Sequence, residues 1–436
     1  MAEDVKQGLV KASGASKFNF GGWEAAVGLT ERWLARAERV DTLLEGLPTG
    51  LAGQERARAQ QLFYGVVRWS SRIESALAGL MARPPRTKVR ALLTVAGFEL
   101  LDGGADLTAK VIHHAVEKAK TVCSAKEAGL VNAVARKLAL RLAEKPADMA
   151  TELAHPEWLV ARWTQQFGAV TTRQLLEWNQ QPAPVYARWR IEAPVPDFLA
   201  PTKWPGFYEV KAGKWDEVRR LVGESALYVQ DPSTRLCIEL LAPQPGETIL
   251  DACAAPGGKS LFIADLMKSG KIVALDEPAA PGKTDIRLVR LKENLSRAPA
   301  GVEVALVEAD LRKVNTVFYR NLNLPEAYDA VLLDAPCSNT GVMRHRIDVK
   351  WRLQDGDFAR HAEQQLELLH AAARLVRPGG RLVYSTCSVD AQENDQVIKA
   401  FFDSRAGGPF KLVQSVQAYP WKDGHDGAGA FLLKRG

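Results

Sequence analysis

The stretch LDACAAPGGKS, residues 250–260, decides how the chain is to be read. An apolar run enters a turn of small residues and leaves through a Gly-Lys-Ser that suits the first turn of a helix. Two nucleotide-binding templates lie close by, and neither is met. An ATP loop of the form GxxxxGK[ST] needs its leading glycine at 253, where Cys253 stands, so no phosphate nest is specified. A dinucleotide loop needs GxGxxG, whereas the order here is Ala254-Ala255-Pro256-Gly257-Gly258. What remains is a tight strand-to-helix turn whose small residues let a ligand approach the backbone. Asp276 ends the next apolar run, about 20 residues on, where a ribose hydroxyl pair is bound in folds of this kind. Asp310 ends the third run, placed to meet an adenine edge. The pattern favours an adenosine ligand without a demanding phosphate site. S-adenosylmethionine fits it, with NAD as the alternative.

Outward from the loop, short apolar runs recur at 248–253, 271–276, 302–310, 328–338 and 380–388, and helical stretches separate most of them. Strands alternating with helices predict a doubly wound parallel sheet with its ligand at the carboxyl ends of the strands. In the common order 3-2-1-4-5, strands four and five are neighbours. Asp334-Ala335-Pro336-Cys337-Ser338 and Ser385-Thr386-Cys387-Ser388 then end side by side. A single cysteine at a strand end reads as a small buried hydrophobe. Two on adjacent strand ends, with Asp334 beside them and a cofactor loop next door, read as chemistry. Cys253 is expected to pack within its loop, and Cys123 and Cys237 within or near a core.

The rest of the chain has a different character. Residues 22–145 carry apolar residues at helical spacing, interrupted at Pro84-Pro85, and predict an all-α domain over 1–150. Tryptophan and proline become frequent over 151–225, read as connecting helices and a small α/β segment; 226–436 is the sheet domain. Of 436 residues, 47% are hydrophobic and 25% charged, the balance of a globular protein rather than a disordered one. No apolar run is long enough to span a bilayer, and residues 1–17 lack the apolar core of a signal peptide. Five widely spaced cysteines without a CxxC pair favour neither disulfides nor zinc, and a reducing, cytoplasmic setting is expected. The seven histidines show no ligand spacing, and no metal is expected. The net charge of +6 lies wholly in residues 1–150, and residues 56–90 hold eight basic side chains against Glu74 alone. That asymmetry suits a polyanion-binding module, and equally a solvated helical surface.

Taken together the motifs resemble the RNA cytosine-5 methyltransferases, and within them the bacterial 16S rRNA branch known as RsmB, Sun or Fmu, which carries an N-terminal domain similar to NusB. ARAQQLFYGVVRWSSRIESAL (57–77) and VRALLTVAGFELL (89–101) carry the resemblance in the N-terminal part. HPEWLVARW (155–163) and LYVQDPSTRL (227–236) carry it in the middle. In the sheet domain it rests on DACAAPGGKS (251–260), LLDAPCSNTGV (332–342), VKW (349–351), RPGGRLVYSTCSVDAQEND (377–395) and DGAGAFLLKR (426–435). The fold it implies is a NusB-like helical domain, a small connecting region and a Rossmann-like methyltransferase domain.

The resemblance also implies roles. Cys387 would be the nucleophile that adds to cytosine C6, and Cys337 the residue that assists breakdown of the adduct. Asp334 would hydrogen-bond or protonate N3, with Lys259 assisting. The cofactor would be S-adenosylmethionine, held by Cys253, Ala254, Ala255, Pro256, Gly257, Gly258 and Lys259 together with Asp276, Asp310 and Asp334. The substrate would be 16S rRNA, naked or in a small-subunit particle; a monomer is expected because nothing in the sequence demands a partner subunit.

Four departures accompany the match. Asn339 stands where the family has glycine, and asparagine tolerates a left-handed backbone. Extra residues follow Asp276. GVMRHRIDVKW (341–351) replaces a GV-x-RRHPD-x-KW run, with Ile347 for proline, and Arg188-Trp189-Arg190 replaces RVN. The last two changes bear on RNA contacts, His345 is a candidate phosphate ligand, and tryptophans within 178–207 are candidate base-stacking residues. Rival readings are the same chemistry on tRNA or another rRNA site, a non-catalytic RNA-binding assembly factor, and an NAD enzyme.

Overall fold

The computed structural model describes residues 21–36 and 38–436. They form two compact units that divide between Pro146 and Ala147. The first unit is built from seven helices, Gly22–Ala35, Val40–Glu45, Gly53–Arg68, Ser70–Leu77, Thr87–Asp102, Gly104–Val122 and Ala125–Ala143. Their apolar stripes close on one core, with Leu62, Val66, Ile73, Leu92, Val95, Val131 and Leu138 buried. Thr87–Asp102 runs through its middle and is buried nearly all round. Phe98 lies flat against Gly65, where an added Cβ would meet the ring at 2.1 Å. The last helix starts on a capping box: Ser124 Oγ accepts from Glu127 N at 3.2 Å, and the Glu127 carboxylate bonds back to the Ser124 hydroxyl.

Much of the basic surplus is structural. Arg86 makes a bidentate pair with Glu127, both bonds 2.7 Å, and Arg90 pairs with Glu74 at 2.7 Å. Arg58 pairs with Glu99, and Arg72 donates to the carbonyls of Leu142 and Glu144, both at 3.0 Å. A count of charges sees the arginines but not these partners.

In the second unit, Glu157–Phe167 and Ala169–Gln180 form a helical hairpin. It buries Leu159, Trp163 and Leu176 against Met343, Val349, Phe358 and Val389. A small antiparallel sheet follows, in the order Leu199–Pro201, Phe207–Val210, Tyr186–Trp189, Leu227–Val229.

The main sheet has seven strands: β1 (Thr248–Ala252), β2 (Gly270–Asp276), β3 (Val302–Glu308), β4 (Tyr328–Asp334), β5 (Val376–Thr386), β6 (Phe410–Ala418) and β7 (Ala428–Arg435). Their order is β3-β2-β1-β4-β5-β7-β6. The first five are parallel in the expected 3-2-1-4-5 order, with Asp334 opposite Ser385. The sheet is not parallel throughout, however. β7 pairs antiparallel with both β5 and β6, adding a hairpin that the strand-helix alternation does not predict. Helices cover both faces, and Leu250, Val273, Val331, Leu333, Leu382 and Tyr384 fill the larger core.

Candidate active site

The loop after β1 is shaped by its own residues and clamped at both ends. Cys253 has φ +63° and Gly257 φ +99°, and the Ala255–Pro256 peptide is cis. Asp251, on the last turn of β1, accepts a hydrogen bond from Ser260 Oγ in the helix Gly258–Met267, which closes the loop's mouth. Asp276 at the end of β2 accepts from Ala255 N at 2.8 Å, and Asn294 Nδ2 donates to Pro256 O at 2.7 Å. The two glycines also serve packing. An added Cβ would meet Leu291 at 2.9 Å from Gly257 and the Tyr228 ring at 2.9 Å from Gly258. Neither Tyr228 nor Asn294 stood out in the sequence.

Three carboxylates ring this loop at the strand ends. Asp276 is buried, and burial raises its carboxyl above the usual range. Asp310 lies two residues past the end of β3, not on it, and is held by Arg312, with Nε at 2.9 Å and N at 3.0 Å; that guanidinium keeps its carboxyl low. Asp334 accepts from Lys259 Nζ at 2.5 Å and from Ser385 Oγ at 2.9 Å. Burial works against the Lys259 charge, but Asp334 outweighs it and holds the ammonium well above its usual range. An acidic rim of this kind suits a cationic ligand with hydroxyl and amino groups. It is ill suited to a phosphate, which sets it against NAD. The extra residues after Asp276 form a loop that ends at Asp285, which caps the helix Ile286–Leu295 by accepting from Arg287 N at 2.8 Å.

The two cysteines come together. Cys337, past β4, and Cys387, past β5, have their sulfurs 3.2 Å apart. The Cys387 sulfur, burial and the charge of Glu393 all push the Cys337 thiol well up, so it stays protonated. Cys237 is buried and Cys253 partly so, and both thiols are likewise pushed up by burial, Cys237 to about 12.

What holds the two cysteine turns in register is Glu393, which is fully buried. Its carboxylate accepts from Ser338 N at 2.8 Å, Ser388 Oγ at 2.6 Å, Gln365 Nε2 at 3.0 Å and the Ser338 hydroxyl. Each serine follows one cysteine. Four donors on one carboxylate satisfy the buried charge without a cation. Beside it, Asp390 accepts from Thr340 Oγ1 at 2.8 Å and from Arg162 Nε at 2.8 Å, so the helical hairpin grips the same turn. Gly341 N donates to Cys387 O at 2.9 Å, and Gly427 N to Gly341 O at 2.8 Å. A Cβ on Gly341 would come within 2.4 Å of the Gly427 carbonyl, so only glycine allows that approach.

Several expected RNA contacts have other occupations. Arg188 and Arg190 are almost wholly buried and both grip Asp265, Arg188 at 2.6 Å and Arg190 through two bonds of 2.9 Å. They fix the small sheet to the helix after the cofactor loop. His345 Nδ1 lies 2.9 Å from Asp426 Oδ1, and Nε2 lies 3.2 Å from Pro184 O. Asp426 and the Pro184 carbonyl both offer lone pairs to the ring. Burial lowers its pKa, but Asp426 outweighs burial and raises it. Asp231, His345 and Asp426 form the one close cluster of possible metal ligands among the described residues. Ile347 is buried.

The model of the family described as 16S rRNA methyltransferase RsmB/F matches residues 238–421, and that of the NusB family matches residues 25–140. The chain is 31% identical to ribosomal RNA small subunit methyltransferase B of Serratia proteamaculans, over 92% of this chain and 95% of the relative. It is 35% identical to the probable ribosomal RNA small subunit methyltransferase B of Bacillus subtilis, over 80% of each. Among solved structures, PH0851 superposes with a TM-score of 0.75 at 23% identity, over 95% of this chain and 98% of that one. NSun6 from Pyrococcus horikoshii superposes at 0.53 and 20% identity, over 64% of this chain and 98% of that one. The two structures bear on the fold alone.

Proposed function

The chain belongs to the 16S rRNA methyltransferase RsmB/F family, and from that premise we propose that it methylates carbon 5 of a cytosine in small-subunit ribosomal RNA, with Cys387 as covalent nucleophile. S-adenosylmethionine, held at the acidic rim by the 253–259 loop with Asp276, Asp310 and Asp334, supplies an electrophilic methyl group on a sulfonium. The observation that carries the reading is the pair of sulfurs 3.2 Å apart on adjacent strand ends, next to Asp334 and Lys259.

Cytosine C5 is a poor nucleophile. Addition of the Cys387 thiolate at C6 makes C5 enamine-like, able to attack an electrophilic methyl. Asp334 bonds the ring at N3 as charge develops there, and the paired Lys259 ammonium keeps a proton within reach. Release needs the C5 proton removed and the S–C6 bond broken. Cys337 is suited to that step. Once Cys387 is a thioether, Cys337 gives its proton to solvent and, as the thiolate, takes the C5 proton, while the C5–H electrons re-form C5=C6 and the Cys387 sulfur leaves as a thiolate. A paired target base must first leave its stack.

In this reading residues 1–150 are a NusB-like RNA-binding domain, 151–225 a connecting segment and 226–436 the catalytic domain. The enzyme works as a cytoplasmic monomer. Among the described residues no helix is long and apolar enough to cross a membrane.

The test incubates wild type, Cys387→Ala and Cys337→Ala with S-adenosylmethionine and small-subunit rRNA, resolves protein from RNA on a denaturing gel, and maps 5-methylcytosine. RNA trapped on Cys337→Ala, with neither product nor trapping on Cys387→Ala, is the expected result. Full methylation by Cys387→Ala would overturn the mechanism. Activity on tRNA but not on rRNA would overturn the substrate.

A further inference from the structure

Asn339 sits between the two cysteines in a backbone conformation that few side chains adopt, with φ +61° and ψ 27°. Asparagine is one of the residues that reaches it, and glycine is the other common choice. Its side chain does more than tolerate the turn. Nδ2 donates to Cys337 O at 2.8 Å, which fixes which end of the amide is which. The oxygen is thereby turned onto Cys387, 3.2 Å from Sγ. A carbonyl oxygen has only lone pairs to offer, so it accepts from S–H and faces a thiolate with like partial charge. The Cys387 sulfur has a second neighbour in the Cys337 sulfur, 3.2 Å away. Lys259, Cys337 and, beside Cys337, Glu393 are titratable groups around this sulfur.

We propose that Asn339 is a direct partner of the reacting sulfur, whose side-chain oxygen accepts the Cys387 S–H and holds the sulfur until that bond is given up. The proposal rests on the reading of Cys387 as nucleophile. A residue at 339 therefore sets how readily the sulfur reacts, as well as the shape of the turn. Glycine there would keep the backbone and remove the acceptor. Aspartate would keep the shape, lose the donor to Cys337 O, place an anion beside the sulfur, and disfavour the thiolate further.

The test is alkylation of Cys387 by iodoacetamide, read peptide by peptide by mass spectrometry between pH 6 and 9, in wild type, Asn339→Gly and Asn339→Asp. The thiolate sulfur displaces iodide to form a thioether, and the thiol proton goes to buffer. One hydrogen bond of ordinary strength, tempered by the lower nucleophilicity of a more acidic thiol, is worth about threefold in rate at neutral pH. Asn339→Gly should react about threefold faster than wild type, and Asn339→Asp several-fold slower, with unchanged melting temperatures. The acid limb of the methylation pH profile should move to lower pH in Asn339→Gly, which a purely structural role would not produce. Equal alkylation rates in all three proteins, or the reverse order, would overturn the proposal. Methylation surviving in Cys387→Ala would instead overturn the reading of Cys387, whatever the alkylation order, so the two failures are separable.

Discussion

Replacing Asp251 by asparagine isolates the cost of one buried carboxyl beneath the cofactor loop. Asp251 is fully buried, one oxygen accepts from Ser260, and the other has no hydrogen-bond partner. Burial is the main cause, and Asp334 a further one, that pushes its carboxyl up to about 7, against the Ser260 bond that lowers it. An unfolded aspartate ionises near pH 4. From there to pH 7 the unfolded chain gives up a proton that the folded one keeps, so stability falls as pH rises through that window and is level above it. About three pH units at roughly 1.4 kcal/mol each make about 4 kcal/mol. Asparagine keeps the shape and a bond to Ser260 and cannot ionise. The variant should match wild type near pH 4.5 and exceed it by about 3–4 kcal/mol at pH 8. The assay is urea unfolding of both proteins at pH 5, 6, 7 and 8, followed by tryptophan fluorescence. Asp231, also raised to about 7, is common to both and cancels in the difference. A difference that does not change with pH, or that favours wild type increasingly as pH rises, would refute the reasoning.

Glu393→Ala leaves four donors without their acceptor, two from Ser338, one from Ser388 and one from Gln365, and should lower kcat at least tenfold while costing about 3 kcal/mol in melting experiments, with the affinity for S-adenosylmethionine measured by calorimetry little changed. Asp265→Ala strips two buried arginines of their partner and should open the 186–229 sheet to limited proteolysis, at a cost of about 3–4 kcal/mol. Gly65→Ala drives a methyl into the Phe98 ring and should lower the helical unit's melting temperature, by circular dichroism, for an overpacking cost of about 1–3 kcal/mol.

The parts of this architecture legible in the sequence were those written as local pattern. Five apolar runs alternating with helices specify the parallel strands and their order. Once β4 and β5 are neighbours, Cys337, Cys387 and Asp334 must meet. Hidden parts depend on partners distant in the chain. Residues 410–418 lie mostly exposed on an edge strand, so they lack the apolar run that marks the other strands. Glu393 reads as one more acid in AQEND, and nothing local tells that four donors converge on it. Arg188 and Arg190 look like RNA-facing cations until Asp265, on a helix more than seventy residues later, is brought beneath them. Asn339 was legible as a tolerated turn residue. Its aim at Cys387 follows only from the bond that fixes its amide.

The position of β7 carries a consequence for how the enzyme comes into being. β5, which delivers Cys387, has β4 on one side and receives its other neighbour only when β7 docks, a strand synthesised after both β5 and β6. The stitch from Gly427 through Gly341 to the Cys387 carbonyl arrives with the same strand. A nascent chain emerging in order would therefore hold every residue of the cofactor loop and both thiols while the Cys387 turn still lacked its outer wall. Assembly of the reactive centre is tied to the synthesis and docking of β7. A ribosome carrying a half-made copy would not yet face a competent enzyme.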